Sequence, residues 1–87
     1  MKSWIKASAF LGLLAAFAAH AGPVNINTAD AKTLAKELNG VGAVKAEAIV
    51  QDREANGPFK AGTDIMRVDG IGQAIYEQNK DNIKVKD

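Results

Sequence analysis

The chain has 87 residues, with 11 Lys and Arg against 10 Asp and Glu, and no cysteine, which excludes a disulfide scaffold and a lipoprotein acylated on cysteine. Its only His, its Trp and both of its serines stand within the first 20 residues, so residues 22–87 offer no serine or cysteine nucleophile, no histidine base and no usual zinc ligand set. Those 66 residues carry 9 Lys and Arg against 10 Asp and Glu, a net −1 that creates no overall basic field, so any nucleic-acid binding must come from local groups.

The opening "MKSWIKASAFLGLLAAFAAHAG" places Lys2 and Lys6 ahead of a largely apolar run, residues 7–19, and then Ala19 and Ala21 around His20. This is the pattern of a secretory signal peptide, residues 1–21, cut before Gly22 on export. The run has 13 residues, whereas a spanning helix needs about 20. What remains, residues 22–87, is enough for one small domain with a thin core, since a domain near 60 residues buries only about 60% of its unfolded surface.

In "GPVNINTADAKTLAKEL" the chain begins extended, because Val24 and Ile26 alternate with Asn25 and Asn27 after Pro23. Asn27 or Thr28 can cap a helix that starts near Ala29, with Asp30 in its first turn. Ala31, Leu34, Ala35 and Leu38 then form one apolar stripe. Asn39-Gly40 ends the helix, since Gly accepts a left-handed cap. In "AVKAEAIVQDREANG" the spacing predicts a second helix with Val41, Val44, Ala48 and Ile49 on its inner side, stopped at Gly57-Pro58.

Phe59 is expected as a core anchor beneath that turn. "AGTDIMRV" reads as a short helix capped by Thr63, with Ile65, Met66 and Val68 inward. A last helix over residues 73–81 has Ile71, Ala74, Ile75 and Ile83 on or near its core side, with Tyr76 beside them, and "IKVKD" follows as an extended charged tail. Asn79 lies four residues after Ile75 on the inward stripe, so its amide is expected to bond a neighbouring backbone segment. The carboxylate pairs Asp52 with Glu54 and Glu77 with Asp81 fit exposed helix positions beside Arg53 and Lys80. No catalytic residue is expected.

Two stretches match under a shift of 30: "LNGVGAV" begins at Leu38 and "VDGIGQA" at Val68, so that Gly40, Val41 and Gly42 fall on Gly70, Ile71 and Gly72. Each unit has one apolar face and must pair with the other. The expected fold is all-α, two helix-hairpin-helix motifs over about residues 29–56 and 61–82 in one compact domain. The first glycine of each motif reverses the chain, and the apolar residue points inward. The second leaves the start of the next helix without a side chain, exposing amides that lack intrahelical acceptors. Such an end suits an anion, and a phosphate can approach where no Cβ stands.

These two motifs, the "NINTA" lead-in and "REANGPFK" between them resemble the ComEA group of competence proteins, built from a double helix-hairpin-helix domain. The resemblance runs over essentially all of residues 22–87. It implies sequence-independent binding of double-stranded DNA through its phosphate backbone in the periplasm, for DNA uptake during natural transformation. It also implies association with uptake machinery at the inner membrane, with no small-molecule substrate.

Carried over by position, the DNA-facing residues are Gly40, Gly42, Ala43, Val44 and Lys45 in the first hairpin and Gly70, Gly72, Gln73 and Ala74 in the second. Lys45 can add a charge-assisted contact, although a solvated helix lysine remains the alternative. The second hairpin departs from the group's pattern, in which Lys often stands near the position of Ala74, and Glu77 follows one turn on. Lys60, Lys80 and Lys84 read equally as distant phosphate contacts or as a solvated face.

No cofactor is expected, and whether the hairpin carbonyls hold a monovalent cation stays open. The competing reading is a structural or protein-interaction module without DNA, as the resemblance to an extrinsic photosystem subunit with this domain illustrates. The net −1 of residues 22–87 leans toward it.

Overall fold

Pro23 and the alternation after it hold the first described residues extended, and the computed structural model describes residues 22–87. The leader and the cleavage point expected before Gly22 lie outside the described residues. Seven elements follow: β1 (Val24–Asn25), α1 (Ala31–Glu37), α2 (Ala43–Asn56), a 3₁₀ helix (Gly62–Arg67), α3 (Gln73–Asn79), a 3₁₀ turn (Lys80–Asn82) and β2 (Ile83–Lys84). α1 packs on α2, and the 3₁₀ helix packs on α3, giving the two helix-hairpin-helix units expected. The leading helix of the second unit is 3₁₀ rather than α.

Helix α1 starts two residues later than the sequence suggests. Its cap is Asp30, whose carboxylate accepts from the Thr33 N–H at 2.8 Å. Asn27 cannot cap it because its side chain is committed across the molecule, accepting from Phe59 N–H at 2.7 Å and donating to the carbonyls of Phe59 at 2.9 Å and Val85 at 2.8 Å. Instead the amides of Thr28 and Ala29 close a turn on the Asn25 carbonyl at 3.2 and 3.0 Å.

The core consists of Ile26, Leu34, Leu38, Val41, Ala46, Ile49, Phe59, Ile65, Val68 and Ile71, with Val24 at its edge. Val44, expected on the inner side of α2, is instead 83% exposed. Ala46 and Ile49 define that inner side, and Val44 stands two residues before Ala46, about 200° around a helix of 3.6 residues per turn. Met66 and Ala74 are likewise exposed rather than inward. Ile75, Tyr76 and Ile83 are half-buried and pack against the core.

Thr63 does not cap the 3₁₀ helix. Asp64 does that work, its carboxylate accepting from the N–H groups of Lys60 at 2.9 Å and Ala61 at 3.2 Å. Around the Gly57-Pro58 turn, Arg67 donates to the Gly57 carbonyl at 2.6 Å, pairs with Asp52 at 2.5 Å and lies 4.4 Å above the Phe59 ring centre. Asp52 therefore has a structural partner.

The charged tail is extended as expected, and it also pairs. β2 lies parallel to β1, with Val24 opposite Ile83 and Asn25 opposite Lys84, and the Ile26 N–H continues the ladder to the Lys84 carbonyl at 3.0 Å. The two ends of the domain are thereby closed on each other. Both hairpins remain at the surface.

Candidate nucleic-acid interface

Each hairpin is built by the same four events. A helix ends at an apolar residue, Leu38 or Val68, whose carbonyl accepts from the N–H of Val41 at 3.3 Å or of Ile71 at 3.0 Å. The first glycine reverses the chain in the left-handed region, φ +80° at Gly40 and +92° at Gly70, where other residues are strained. Val41 and Ile71 are then both 3% exposed and fasten the turn to the core. The second glycine returns to extended backbone, φ −87° at Gly42 and −105° at Gly72, and takes the N-cap of α2 or α3.

Neither cap glycine supplies a side-chain hydrogen bond, and the first bonds within the helices run from Ala46 N–H to the Gly42 carbonyl at 2.9 Å and from Tyr76 N–H to the Gly72 carbonyl at 3.1 Å. The amides of residues 43–45 and 73–75 therefore precede the helical ladder, as the helix geometry requires. A Cβ at Gly42 or Gly72 would meet nothing within 4 Å. The space before each helix is open to solvent. Gly40, Gly42, Ala43, Val44, Gly70, Gly72, Gln73 and Ala74 are all exposed, so eight of the nine residues singled out by sequence border the two turns at the surface.

Lys45 differs, being half-buried. Its stem crosses to the other hairpin, where a Cβ at Gly70 would stand 3.3 Å from its Cε. In the reverse direction, a Cβ at Gly40 would stand 3.4 Å from Gln78 Oε1 and 3.8 Å from Ile75 Cγ1. Gln78 escaped the sequence reading because polar helix residues carry no signal of what lies across from them.

Charge near the turns is sparse. Among the described residues no ion pair engages Lys45. Lys80 pairs with Glu77 at 3.0 Å, and that hydrogen-bonded carboxylate raises the lysine pKa above its ordinary value. Lys84 pairs with Asp87 at 3.3 Å. Asp87 in turn accepts from Asn25 Nδ2 at 3.2 Å, and these contacts lower its pKa. No cluster of three His, Cys, Asp or Glu converges among the described residues. The arrangement presents amides and one uncommitted lysine at the hairpins.

Residues 19–84 match the family described as the helix-hairpin-helix motif. An uncharacterized protein of Haemophilus influenzae is 52% identical over 60 residues, which are 69% of this chain and 54% of that protein. ComE operon protein 1 of Bacillus subtilis is 49% identical over 63 residues, 72% of this chain and 30% of that protein. The chain thus spans about half the length of the first relative and under a third of the second.

Proposed function

Because the chain belongs to the helix-hairpin-helix family, we propose that it is a binding protein that grips double-stranded DNA by its phosphate backbone without reading sequence. The observation that carries this reading is the repetition, in both hairpins, of a left-handed glycine, a buried apolar residue and an extended cap glycine with open space before the helix. Amides aimed into that space can meet phosphate oxygens, and phosphate contacts position a protein on a duplex without identifying bases. The DNA-contacting residues proposed are Gly40, Gly42, Ala43, Val44, Lys45, Gly70, Gly72, Gln73 and Ala74.

The site of action proposed is the periplasm, reached through the leader, and the process is DNA uptake in natural transformation together with machinery at the inner membrane. Support comes from the leader's sequence pattern and from the 49% identity to ComE operon protein 1. A second reading, a protein-interaction module without DNA, draws on the net −1 of residues 22–87. A gel-shift titration of random-sequence duplex at low salt separates the two. Retarded duplex supports DNA binding, and duplex that migrates unchanged leaves the interaction module.

A further inference from the structure

Lys45 and Ile75 occupy one position in the two motifs, three residues after Gly42 and Gly72, and each leans on the other motif's turn. A Cβ at Gly70 would stand 3.3 Å from Cε, 3.5 Å from Cγ and 3.8 Å from Cδ of Lys45, whereas one at Gly40 would stand 3.8 Å from Cγ1 of Ile75. The exchange is symmetric in geometry and asymmetric in charge. Resting on the DNA reading above, we propose that Lys45, carried by the first motif, is the cationic phosphate contact of the second hairpin.

Three observations lead there. The stem is laid along Gly70 from Cγ to Cε, so the ammonium, one bond further, emerges beside the second turn; a half-buried lysine keeps its stem on the protein and its head in water. The second hairpin has no cation in residues 68–79, and Arg67 just before it is committed to Asp52 and the Gly57 carbonyl, whereas Asp69 stands in the turn and Glu77 on α3, so an approaching phosphate meets negative charge unless Lys45 offsets it. Finally, the charge of Lys45 is uncommitted among the described residues, while Lys80, the nearest cation along the chain after that hairpin, is paired with Glu77. Gly70 accordingly has two reasons to lack a side chain: its φ of +92° and the lysine stem against it. The first hairpin receives the neutral Gln78 amide in the corresponding place.

The test compares the processed protein with Lys45→Met, which keeps an apolar stem against Gly70 and removes only the charge. Both are ¹⁵N-labelled and titrated with a short random-sequence duplex. Lys45→Met is expected to bind about fivefold more weakly and to lower the magnitude of the salt slope by about one. Its duplex-induced amide shifts should be lost mainly at Gly70 and Gly72 and kept at Gly40 and Gly42. Losses concentrated at Gly40 and Gly42, losses spread evenly, or an unchanged titration would each overturn the assignment. If the parent shows no duplex-induced shift at either hairpin, the DNA reading itself fails, an outcome distinct from these.

Discussion

Asn79 satisfies both backbone groups of Asn39: its Oδ1 accepts from the Asn39 N–H at 2.8 Å and its Nδ2 donates to the Asn39 carbonyl at 2.9 Å. The same Nδ2 also meets the Ile75 carbonyl at 2.8 Å, and the residue is 3% exposed. The end of α3 is thereby tied to the first hairpin one residue before Gly40. Asn79→Leu keeps the volume and removes three hydrogen bonds, leaving the partners to find water. Urea denaturation should show a loss of about 1–3 kcal/mol with the helical circular dichroism retained. An unchanged midpoint would mean that this tie contributes nothing.

Asn27 performs the same service for Phe59, so the lead-in stretch should be as sensitive as a core position. Asn27→Ala removes the acceptor for Phe59 N–H and the donor to the carbonyls of Phe59 and Val85. The expected cost is again about 1–3 kcal/mol, with earlier hydrogen exchange at the Phe59 amide than elsewhere in the core. Loss of stability without that local change would assign Asn27 a different role.

The two asparagines show how far the sequence carries. The inward position of Asn79 follows from helical period, the core roles of Leu34, Leu38, Ile49 and Ile71 follow from apolar spacing, and that of Phe59 from its place beneath the Gly57-Pro58 turn; each is buried in the fold. Asn27 was legible only as a cap, because its true partners lie 32 and 58 residues away. Val44 misled for a related reason: a valine at the first turn of a helix has the composition of a core residue, and its register depends on where the helix starts. The cap glycines were legible from spacing alone. The crossing of Lys45 to Gly70 was not, since one-dimensional spacing cannot show which motif a side chain leans on.

Acid should weaken the domain through its caps. Asp30 is held below the ordinary carboxyl value of 3.8 by the Thr33 amide, Asp64 by the amides of Lys60 and Ala61, and Asp87 by Asn25 and Lys84. A lowered folded-state pKa means that the unfolded chain binds more protons, so the contribution is complete above 3.8 and is lost as pH falls through the folded values. The urea midpoint should therefore be flat near neutral pH and decline below about pH 4. Asp64→Asn should shallow that decline. Lys80, raised by Glu77, acts in the opposite direction, losing its contribution only as alkaline pH passes its folded value. A midpoint that rises on acidification would contradict the capping geometry.

Binding through amides should be indifferent to sequence and only modestly sensitive to salt. With Lys45 and about one or two more distant lysines neutralising phosphates, the slope of log affinity against log salt should be roughly −2 to −3. Unrelated duplexes of equal length should compete evenly, because phosphate contacts carry no base information. A preference above about a hundredfold for one sequence exceeds what such contacts supply and would require base readout.

Backbone and side-chain contributions part at the cap glycines. Gly40 and Gly70 have positive φ, so substituting them strains the turn and tests folding rather than binding. Gly42 and Gly72 have negative φ and open space at the Cβ position, so valine can be accommodated, and its branches fill the volume a phosphate would enter. Gly42→Val and Gly72→Val should therefore keep the helical signal while each loses about tenfold or more in duplex affinity, the equivalent of roughly 1.4 kcal/mol. Lys45→Ala should cost less, about 1 kcal/mol. If Gly42→Val is severe and Gly72→Val nearly silent, one hairpin grips and the other supports it structurally. Should both variants fold and bind duplex like the parent, phosphate does not approach through these openings, and the DNA-free interaction module becomes the better account of the two motifs.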